Sequence, residues 1–315
     1  MRKVTIIGAG NVGATIAYAL AIEGVANEIL IIDIRKDKAD GEAMDIAQGS
    51  PFFPGAPRIY SGDYADAVDS DIVIITSGVA RKPGQTRLEL AQTNVNIMKS
   101  VAEQISRYAP NAIYVVVANP VDVMTYALHK FTNIPEKHII GSGTILDTAR
   151  LRSRLSDIFD VSQQNVHAHI FGEHGDSSFV PWSIATLSSV PLEDYRAALE
   201  GTENAVAPLD HDEIEEFVRT SGAQIIKNKG ATFYAVAISA VHICKCIFSG
   251  NETTLTVSAM MHGEYGIEDV CLSVLALVGE DGIKTTVPVK LTDDEVAKLQ
   301  NSAKCLRAVI DNVNL

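Results

Sequence analysis

The chain has 315 residues, 47% of them apolar, so it is long enough for one large α/β unit or two domains with well-filled cores. Its 39 acidic and 26 basic residues give a formal net charge of -13, which argues against a nucleic-acid or membrane-surface partner because polyanions would be repelled. Arg2 and Lys3 precede an apolar run that glycines and Asn11 interrupt well short of a membrane span, so we expect a cytosolic protein.

The chain opens with a short apolar run followed by a glycine-rich turn. Residues 4–7 are all β-branched and favour a buried parallel strand, and apolar residues then recur at helical spacing until Gly24. In the turn, Gly8 permits a tight bend, Gly10 lets a pyrophosphate approach the backbone, and Gly13 lets helix and strand pack closely. The pattern predicts a dinucleotide site, the alternative being that the glycines only ease a turn. The residues expected to contact the cofactor here are Gly8, Gly10, Asn11, Val12 and Gly13.

A second apolar strand is predicted at residues 29–32, and it ends in Asp33, twenty positions after Gly13. Dinucleotide sites place a carboxylate at this point, where it binds the ribose hydroxyls and repels a 2′-phosphate. We therefore expect the cofactor to be NAD rather than NADP.

The next predicted helix, at residues 36–48, has a stripe of small or flexible apolar side chains. The stripe consists of Ala39, Ala43, Met44 and Ala47. Residues of this kind suit close packing against another subunit or against the chain's own sheet, and both interpretations stay open.

A basic loop follows the next predicted core strand, at residues 71–76. Residues 78–87 contain three basic residues, two glycines and a proline. Loops at the carboxyl ends of parallel strands bind ligands in such sheets, although surface loops also carry ordinary charges. The residues of interest in this loop are Gly78, Arg81 and Arg87.

A polar segment also ends the predicted strand at residues 112–117. Asn119 lies at the same sheet edge as the two glycine turns, where its amide is suited to a nicotinamide or a substrate. The alternative is a turn residue fixed by Pro120.

Strands and helices alternate through the first half of the chain, with further helices predicted at residues 88–108 and 121–131 and a short strand at residues 138–140. This alternation predicts an α/β protein with a Rossmann-type doubly wound parallel sheet, which we expect to form an NAD-binding domain at residues 1–143. The elements of residues 144–315 predict an α+β second domain, and the family resemblance given below implies that it is the catalytic or substrate domain.

Two candidate catalytic segments begin the second half. Asp147 and Arg150 lie three apart in a predicted helix at residues 146–152, a spacing that more often marks a surface ion pair. Residues 166–171 alternate as a strand and lead to His174, whose flanking glycines leave the imidazole sterically open.

The remaining chain is predicted as helix at residues 213–248 with a break near Gly230, then a small antiparallel sheet at residues 253–287. A last helix at residues 292–313 begins with a capping-box pattern. The four cysteines lie in apolar or amphipathic segments without the spacing of common zinc or redox pairs. We therefore expect buried free thiols and no metal.

Taken together, five motifs resemble those of the L-lactate/malate dehydrogenase family, in the same order and across essentially the whole chain. They are the glycine turn with Asp33, and residues 82–84, 119–122, 146–150 and 172–176. The resemblance implies an NAD-dependent L-2-hydroxyacid dehydrogenase acting on a small 2-oxo or 2-hydroxy acid.

The family's functional residues match positions of this chain one by one. The resemblance implies that His174 is the proton donor and acceptor and Asp147 its orienting carboxylate. It also implies that Arg150 binds the substrate carboxylate and that Arg87, on a mobile loop, polarises the carbonyl. These roles are chemically sensible, because an imidazolium held by a carboxylate donates a proton near neutral pH and arginine binds both carboxylate oxygens.

Features of both branches of the family occur in this chain. Glu173, Thr232, Arg152 and His167 resemble lactate enzymes, and the bulk of Thr232 would crowd a larger substrate. Arg81 instead resembles malate enzymes, in which it pairs with the second carboxylate of oxaloacetate where lactate enzymes usually carry Gln. We expect an L-lactate dehydrogenase that reduces pyruvate, with malate dehydrogenase as the alternative.

The resemblance further implies a homotetramer in which Arg152 and His167 form an allosteric fructose 1,6-bisphosphate site between subunits. A basic pair suits phosphate groups. A non-catalytic NAD(H)-binding sensor remains a distant alternative, since fold does not imply function. A pure binding module, however, would not need a proton donor beside two arginines.

Overall fold

The computed structural model of the chain describes residues 2–80 and 86–315, apart from the side chain of Arg87. The first half contains β1 (Lys3–Ile7), α1 (Asn11–Ile22), β2 (Glu28–Ile32), α2 (Lys36–Gln48), β3 (Arg58–Ser61), β4 (Ile72–Ile75), α3 (Arg87–Tyr108), β5 (Ile113–Val116), α4 (Val121–Phe131) and β6 (Ile139–Gly141). Across these described ranges, no helix is both long and apolar enough to cross a membrane.

The second half is richer in short elements. It contains α5 (Ile145–Phe159), β7 (Val166–His167), β8 (Thr186–Leu187), β9 (Val190–Pro191), α6 (Leu192–Ala198), α7 (His211–Lys229), α8 (Tyr234–Phe248), β10 (Thr253–His262), β11 (Glu268–Gly279), β12 (Gly282–Thr286) and α9 (Asp293–Ile310). The predicted break near Gly230 is confirmed, because this glycine ends α7 with a left-handed conformation.

A parallel sheet forms the centre of the fold, in the strand order β3-β2-β1-β4-β5-β6. Strands β2 and β4 both pair with β1, so the order reverses between β1 and β4. In open α/β sheets, ligands bind at the carboxyl ends of the strands beside such a reversal. The predicted Rossmann-type architecture is confirmed, and it brings the turn after β1 beside the loop after β4.

The strands of this sheet are apolar at nearly every position because both of its faces are covered. Ile31 and Ile74 belong to a core shared with α1, α2 and α8. Leu30 and Val73, one position away on the same strands, belong to a core shared with α3, α4 and α9. The uninterrupted apolar runs of the sequence therefore correspond to strands with two buried faces.

The predicted antiparallel sheet at residues 253–287 does form, but it is not separate from the parallel one. Strands β10, β11 and β12 extend the same sheet to nine strands among the described residues, through an antiparallel pairing of Ser258 with Gly141 at its β6 edge. Gly141 permits this approach, since a Cβ there would lie 2.7 Å from the Cβ of Ser258. The two halves of the chain consequently share one hydrogen-bonded framework.

The strand predicted at residues 166–171 is wrong over most of its length. Only Val166 and His167 pair as a strand, and Phe171 and Gly172 each make a single bridge to another segment. The alternation did identify which side chains are buried, since Ala168 and Ile170 are both buried. The short elements β3, α6, β8 and β9 had no sequence prediction, because two to seven residues carry too little periodicity.

The exposure of side chains tests the interpretation of the apolar stripe on α2 and the predicted burial of the cysteines. On α2, Ala39 and Ala43 pack into the chain's own core, whereas Met44 is 62% exposed and faces outward. Three cysteines are buried free thiols as predicted, but Cys305 on α9 is exposed, so the prediction is wrong for that residue. The capping box at Thr292 and Glu295 is confirmed at the start of α9.

The glycines of the turn between β1 and α1 meet different structural requirements. Gly8 has a φ of +115°, which favours glycine. A Cβ at Gly13 would lie 1.8 Å from the carbonyl oxygen of Gly8, so this contact between helix and strand excludes any side chain. Gly10 has a φ of -73° and nothing within 4 Å of the position a Cβ would take. Folding therefore requires glycine at position 13 but not at position 10.

We expect Gly13→Ala to lower the free energy of unfolding by about 1–3 kcal/mol or more, because α1 must move away from β1 to admit the methyl group. The matched control, Gly10→Ala in the same turn, should change it by less than about 1 kcal/mol, since that position is open. Urea denaturation of both variants measures the difference, and equal stabilities would contradict this account of the turn.

Candidate functional site

The amino terminus of α1 faces the sheet edge where β1 and β4 end. The first hydrogen bond of this helix runs from the amide of Ala14 to the carbonyl of Gly10, at 2.9 Å. The amides before it have no acceptor within the helix and suit an anion such as pyrophosphate. They belong to Asn11, Val12 and Gly13.

The Asp33 carboxylate is fixed beside this turn. Its Oδ2 accepts a hydrogen bond from the amide of Ala9 at 2.7 Å, and its Oδ1 accepts one from Arg35 N at 2.9 Å. Each carboxylate oxygen accepts more than one bond, so lone pairs remain for ribose hydroxyls. Together with the open space at Gly10, the residues present fit a dinucleotide with its pyrophosphate on the helix and its ribose at Asp33.

A buried amide on α3 connects the ends of two neighbouring strands. Asn94 is 1% exposed, and its Oδ1 accepts from Val79 N at 2.9 Å. Its Nδ2 donates to the carbonyls of Val79 and Asn119, at 3.2 and 2.7 Å. The predicted site residues Gly78 and Asn119 are thereby held at one edge. Sequence analysis missed Asn94, because one Asn in a long amphipathic helix has no distinguishing pattern.

His174, Asp147 and Arg150 form one hydrogen-bonded group. His174 Nδ1 lies 2.5 Å from Asp147 Oδ2, and Arg150 Nη1 donates to Asp147 Oδ1 at 2.9 Å. The side chains of Asp147 and Arg150 are 8% and 13% exposed, against 29% for His174. The spacing of Asp147 and Arg150 therefore marks a buried pair in this chain, not the commoner surface ion pair.

The local structure explains this arrangement. Asp147 lies in the first turn of α5, where the helix dipole favours a carboxylate, and Arg150 follows one turn later on the same face. The guanidinium of Arg150 also lies against Gly222 of α7, where a Cβ would be 3.5 Å from Nη2. His174 comes from an irregular segment after Gly172, whose φ of +94° turns the chain towards α5.

The charges of this group support one another. The negative charge of Asp147 raises the pKa of His174, against the opposing effect of burial. Burial acts to raise the pKa of Asp147, but the charges of His174 and Arg150 outweigh it and lower that pKa. The group therefore favours an imidazolium beside a carboxylate. With Nδ1 bound to Asp147, proton exchange with a substrate falls to Nε2.

Two further residues hold the backbone at His174. Asp122 on α4 is 2% exposed, and its Oδ2 accepts from the amide of His174 at 2.8 Å. Burial raises the pKa of Asp122 to about 6. The fully buried Ser302 on α9 accepts from Glu173 N at 2.7 Å. Sequence analysis assigned no function to either residue, because each lies in a helix far from His174 along the chain.

The remaining predicted residues belong to other segments of the chain or fall outside the description. Arg81 and the side chain of Arg87 fall outside the described residues. Thr232 follows the end of α7 and is half-buried. Arg152 donates to the carbonyl of Ala168 at 3.1 Å, while His167 is exposed.

No three potential metal ligands converge within residues 2–80 and 86–315. The described part of the site is therefore a pair of cations sharing one carboxylate, next to a sheet edge that fits a dinucleotide. Such a group can bind an organic anion and transfer a proton.

We expect Asp147→Asn to lower the pKa of His174, because burial and the charge of Arg150 then act without the opposing carboxylate. NMR titration of the histidine rings measures this pKa, with His174→Gln identifying the resonance. Asp157→Asn, on the exposed part of the same helix, is the matched control and should leave it unchanged. A His174 titration that is identical with and without the Asp147 charge would contradict the electrostatic account.

Comparison with known proteins gives matches over both halves of the chain. Residues 2–141 match the family profile described as "lactate/malate dehydrogenase, NAD binding domain". Residues 144–314 match the profile described as "lactate/malate dehydrogenase, alpha/beta C-terminal domain".

Individual relatives match over their full lengths. An L-lactate dehydrogenase of Acetivibrio thermocellus is 42% identical over 315 residues, covering 100% of this chain and 98% of the relative. One of Clostridium perfringens is 43% identical over 317 residues, with 100% and 98% covered. The crystal structure of MGS-M5, a lactate dehydrogenase from a deep-sea metagenome library, superposes with a TM-score of 0.94 at 39% identity, covering 99% of each chain. The chain therefore belongs to the lactate/malate dehydrogenase family.

Proposed function

We propose that this chain is an NAD-dependent L-lactate dehydrogenase that interconverts pyruvate and L-lactate. The observation that carries the proposal is the group formed by His174, Asp147 and Arg150, which combines a proton donor with an anion-binding cation. The relatives named L-lactate dehydrogenase, matched over their whole length, support this substrate. The division near residue 143 then separates a cofactor-binding half from a substrate-binding half.

Arg150 is proposed to bind the carboxylate of pyruvate. One of its guanidinium nitrogens is bound to Asp147, which fixes the plane of the group. The planar guanidinium presents its remaining donors in a fixed geometry that matches a carboxylate. Because the Asp147 carboxylate is shared with His174, the protonated group has a surplus positive charge that attracts a monoanion.

His174 is proposed to donate the proton that pyruvate needs at its carbonyl oxygen. Asp147 holds Nδ1 and favours the charged imidazolium, so Nε2 carries the transferable proton. In the reverse direction the neutral imidazole takes the hydroxyl proton of lactate. Reduction should consequently be lost as pH rises through the pKa of His174.

The NAD site is proposed at the carboxyl ends of β1, β4 and β5. Bound NADH supplies the hydride. The residues proposed to contact the cofactor are Gly8, Gly10, Asn11, Val12, Gly13, Asp33, Gly78 and Asn119. The hydrogen-bonded position of Asp33 beside Ala9 supports a preference for ribose hydroxyls over a 2′-phosphate.

Three further roles rest on the resemblance. We propose that Arg87 polarises the substrate carbonyl, that Thr232 limits the size of the substrate pocket, and that Arg81 permits some binding of oxaloacetate. The malate dehydrogenase alternative is not favoured, because relatives that are 42–43% identical over 99–100% of this chain are named L-lactate dehydrogenase. A non-catalytic sensor is also disfavoured, because sensing NAD(H) needs no proton donor beside Arg150.

The proposed assembly is a cytosolic homotetramer. Large apolar side chains exposed on α1, α2 and α8 support an interface with a second copy, since monomers rarely expose such a patch. They include Tyr18, Met44, Tyr234 and Ile238. We further propose that Arg152 and His167 of neighbouring subunits bind fructose 1,6-bisphosphate. Arg152 is partly used within the subunit, since its Nε donates to the carbonyl of Ala168 at 3.1 Å and its Nη2 lies 3.5 Å from Nδ1 of His169. A guanidinium has five N–H donors, so others remain for phosphate.

We expect the protein to reduce pyruvate with NADH more efficiently than oxaloacetate, with measurable activity on both. His174→Gln should lower kcat by about 10²–10⁴-fold, while NADH binding, followed by fluorescence, survives.

Arg81→Gln should keep kcat/KM for pyruvate and lower kcat/KM for oxaloacetate at least about tenfold, the scale of one lost charge contact. A strong preference of the unmodified protein for oxaloacetate would disprove the proposed substrate.

We expect fructose 1,6-bisphosphate to lower the KM for pyruvate or to shift the subunit equilibrium towards the tetramer, more strongly at acidic pH because protonated imidazole binds phosphate better. His167→Gln should weaken this response, whereas His262→Gln, at an exposed histidine paired with Glu136, should keep it. If neither the sedimentation behaviour nor the KM for pyruvate changes when fructose 1,6-bisphosphate is added, the regulatory proposal is ruled out.

A further inference from the structure

The segment that leads to His174 is held by side chains rather than by a strand partner at Ile170. The amide of Ile170 donates to Thr148 Oγ1 at 3.0 Å, and the carbonyl of Ile170 accepts from Thr144 Oγ1 at 2.5 Å. Thr144 is at the N-cap position of α5 and Thr148 lies one turn later, so both hydroxyls belong to the turn that contains Asp147. Both backbone groups of Ile170 are thus bound to the helix that carries the Asp147 carboxylate.

A second connection fixes the same segment two residues later. Gly172 and Ser273 of β11 exchange two backbone hydrogen bonds, at 2.9 and 3.0 Å. The Ser273 hydroxyl in turn accepts from the amide of Thr144 at 3.0 Å. Residue 170 is therefore bound directly to the start of α5, and residue 172 is connected to it through Ser273. A shift of the segment along this helix would break hydrogen bonds at both points.

The position of this segment determines the contact between His174 and Asp147. Ile170 lies four residues before His174, and Thr148 is the immediate neighbour of Asp147. The distance between His174 Nδ1 and Asp147 Oδ2 is 2.5 Å, so the two side chains are in direct contact. A hydrogen bond of this kind weakens steeply with distance and misalignment, so small movements of the segment change the interaction.

Valine has the same branched shape as Thr148 but lacks its hydroxyl. Thr148 is 5% exposed, and its hydroxyl also contacts Thr256 Oγ1 at 3.0 Å. A buried hydroxyl is unfavourable unless it makes hydrogen bonds, and valine would lose both the bond from Ile170 and the contact with Thr256. Of the two, only the bond from Ile170 reaches the segment that carries His174.

We propose that Thr148 is a positioning residue for the reaction, whose hydroxyl sets the register of the His174 segment on α5 and thereby the contact between His174 and Asp147. It does not touch the reacting atoms and acts through His174. This inference rests on the proposed function in assigning the proton transfer to His174, but the geometry it describes belongs to the free protein.

The pH dependence of His174 is a suitable readout because the surrounding charges are known among the described residues. Asp147 and Arg150 face it from α5, Asp122 faces it from α4, and Glu173 precedes it. Thr148→Val removes none of these charges. A change in the titration of His174 would therefore report a change in geometry.

The experiment compares Thr148→Val and Thr148→Ser with Thr5→Val. Thr5 is a fully buried threonine of β1 whose hydroxyl bonds to Ser70 at 2.7 Å, far from His174 along the sheet, so its valine variant loses a comparable bond. The first measurement is the pH profile of pyruvate reduction. The second is the NMR titration of His174 in the cofactor-free protein, with His174→Gln identifying the resonance.

For Thr148→Val we expect the alkaline limb of kcat and the His174 titration to move together to lower pH, because a longer contact with Asp147 stabilises the imidazolium less. At pH 8 the efficiency with pyruvate should fall about tenfold, and more activity should remain under acidic conditions. Thr148→Ser keeps the oxygen and should restore both midpoints. Thr5→Val should keep both midpoints despite its lost hydrogen bond.

Unchanged midpoints in Thr148→Val would overturn the proposal whatever the rate, as would equal shifts in Thr5→Val or no recovery in Thr148→Ser. Should Thr148→Val fail to fold, Thr148→Ala removes the same hydroxyl with less bulk and must give the shift. If the unmodified protein does not reduce pyruvate, the proposed function fails, and the NMR titration still decides the positioning role of Thr148.

Discussion

The site depends on one buried carboxylate that is shared by two cations. Asp147 contacts the imidazole of His174 with one oxygen and the guanidinium of Arg150 with the other. Burial of three ionisable groups is unfavourable on its own, and only their mutual pairing offsets the loss of hydration. Helical spacing on α5 fixes Asp147 relative to Arg150, so the remaining freedom lies in the segment that carries His174. Hydrogen bonds from α5, β11, α9 and Asp122 of α4 restrict that freedom.

The sequence predicted the sheet well for a physical reason. A strand with two covered faces must be apolar at nearly every position, and β1, β2, β4 and β5 could be recognised without knowledge of their neighbours. The strand predicted at residues 166–171 was wrong for a different physical reason. Their alternation reports which side chains are buried, but not whether the backbone bonds go to a strand or, as at Ile170, to threonine hydroxyls.

The candidate site divides in the same way. Motif positions such as His174 could be assigned a role from the sequence. The roles of Asn94, Asp122 and Ser302 could not, since each acts through hydrogen bonds to residues far away along the chain. The junction of the two sheet regions was also unpredictable, because it depends on one pairing between Ser258 and a glycine. Contacts between residues far apart in the chain leave no local pattern.

Two glycines of the first turn, Gly13 and Gly10, differ in what would preserve them during evolution. Every substitution at Gly13 brings a Cβ into the carbonyl group of Gly8, directly after β1, so selection for a folded chain would be enough to preserve that glycine. Gly10 has open space around it, so folding does not require glycine there, and only its proposed contact with a cofactor would preserve it. In a descendant that no longer binds the cofactor, position 10 would therefore accept other residues while position 13 remained glycine. Comparing the two positions would distinguish the loss of cofactor binding from the loss of the fold.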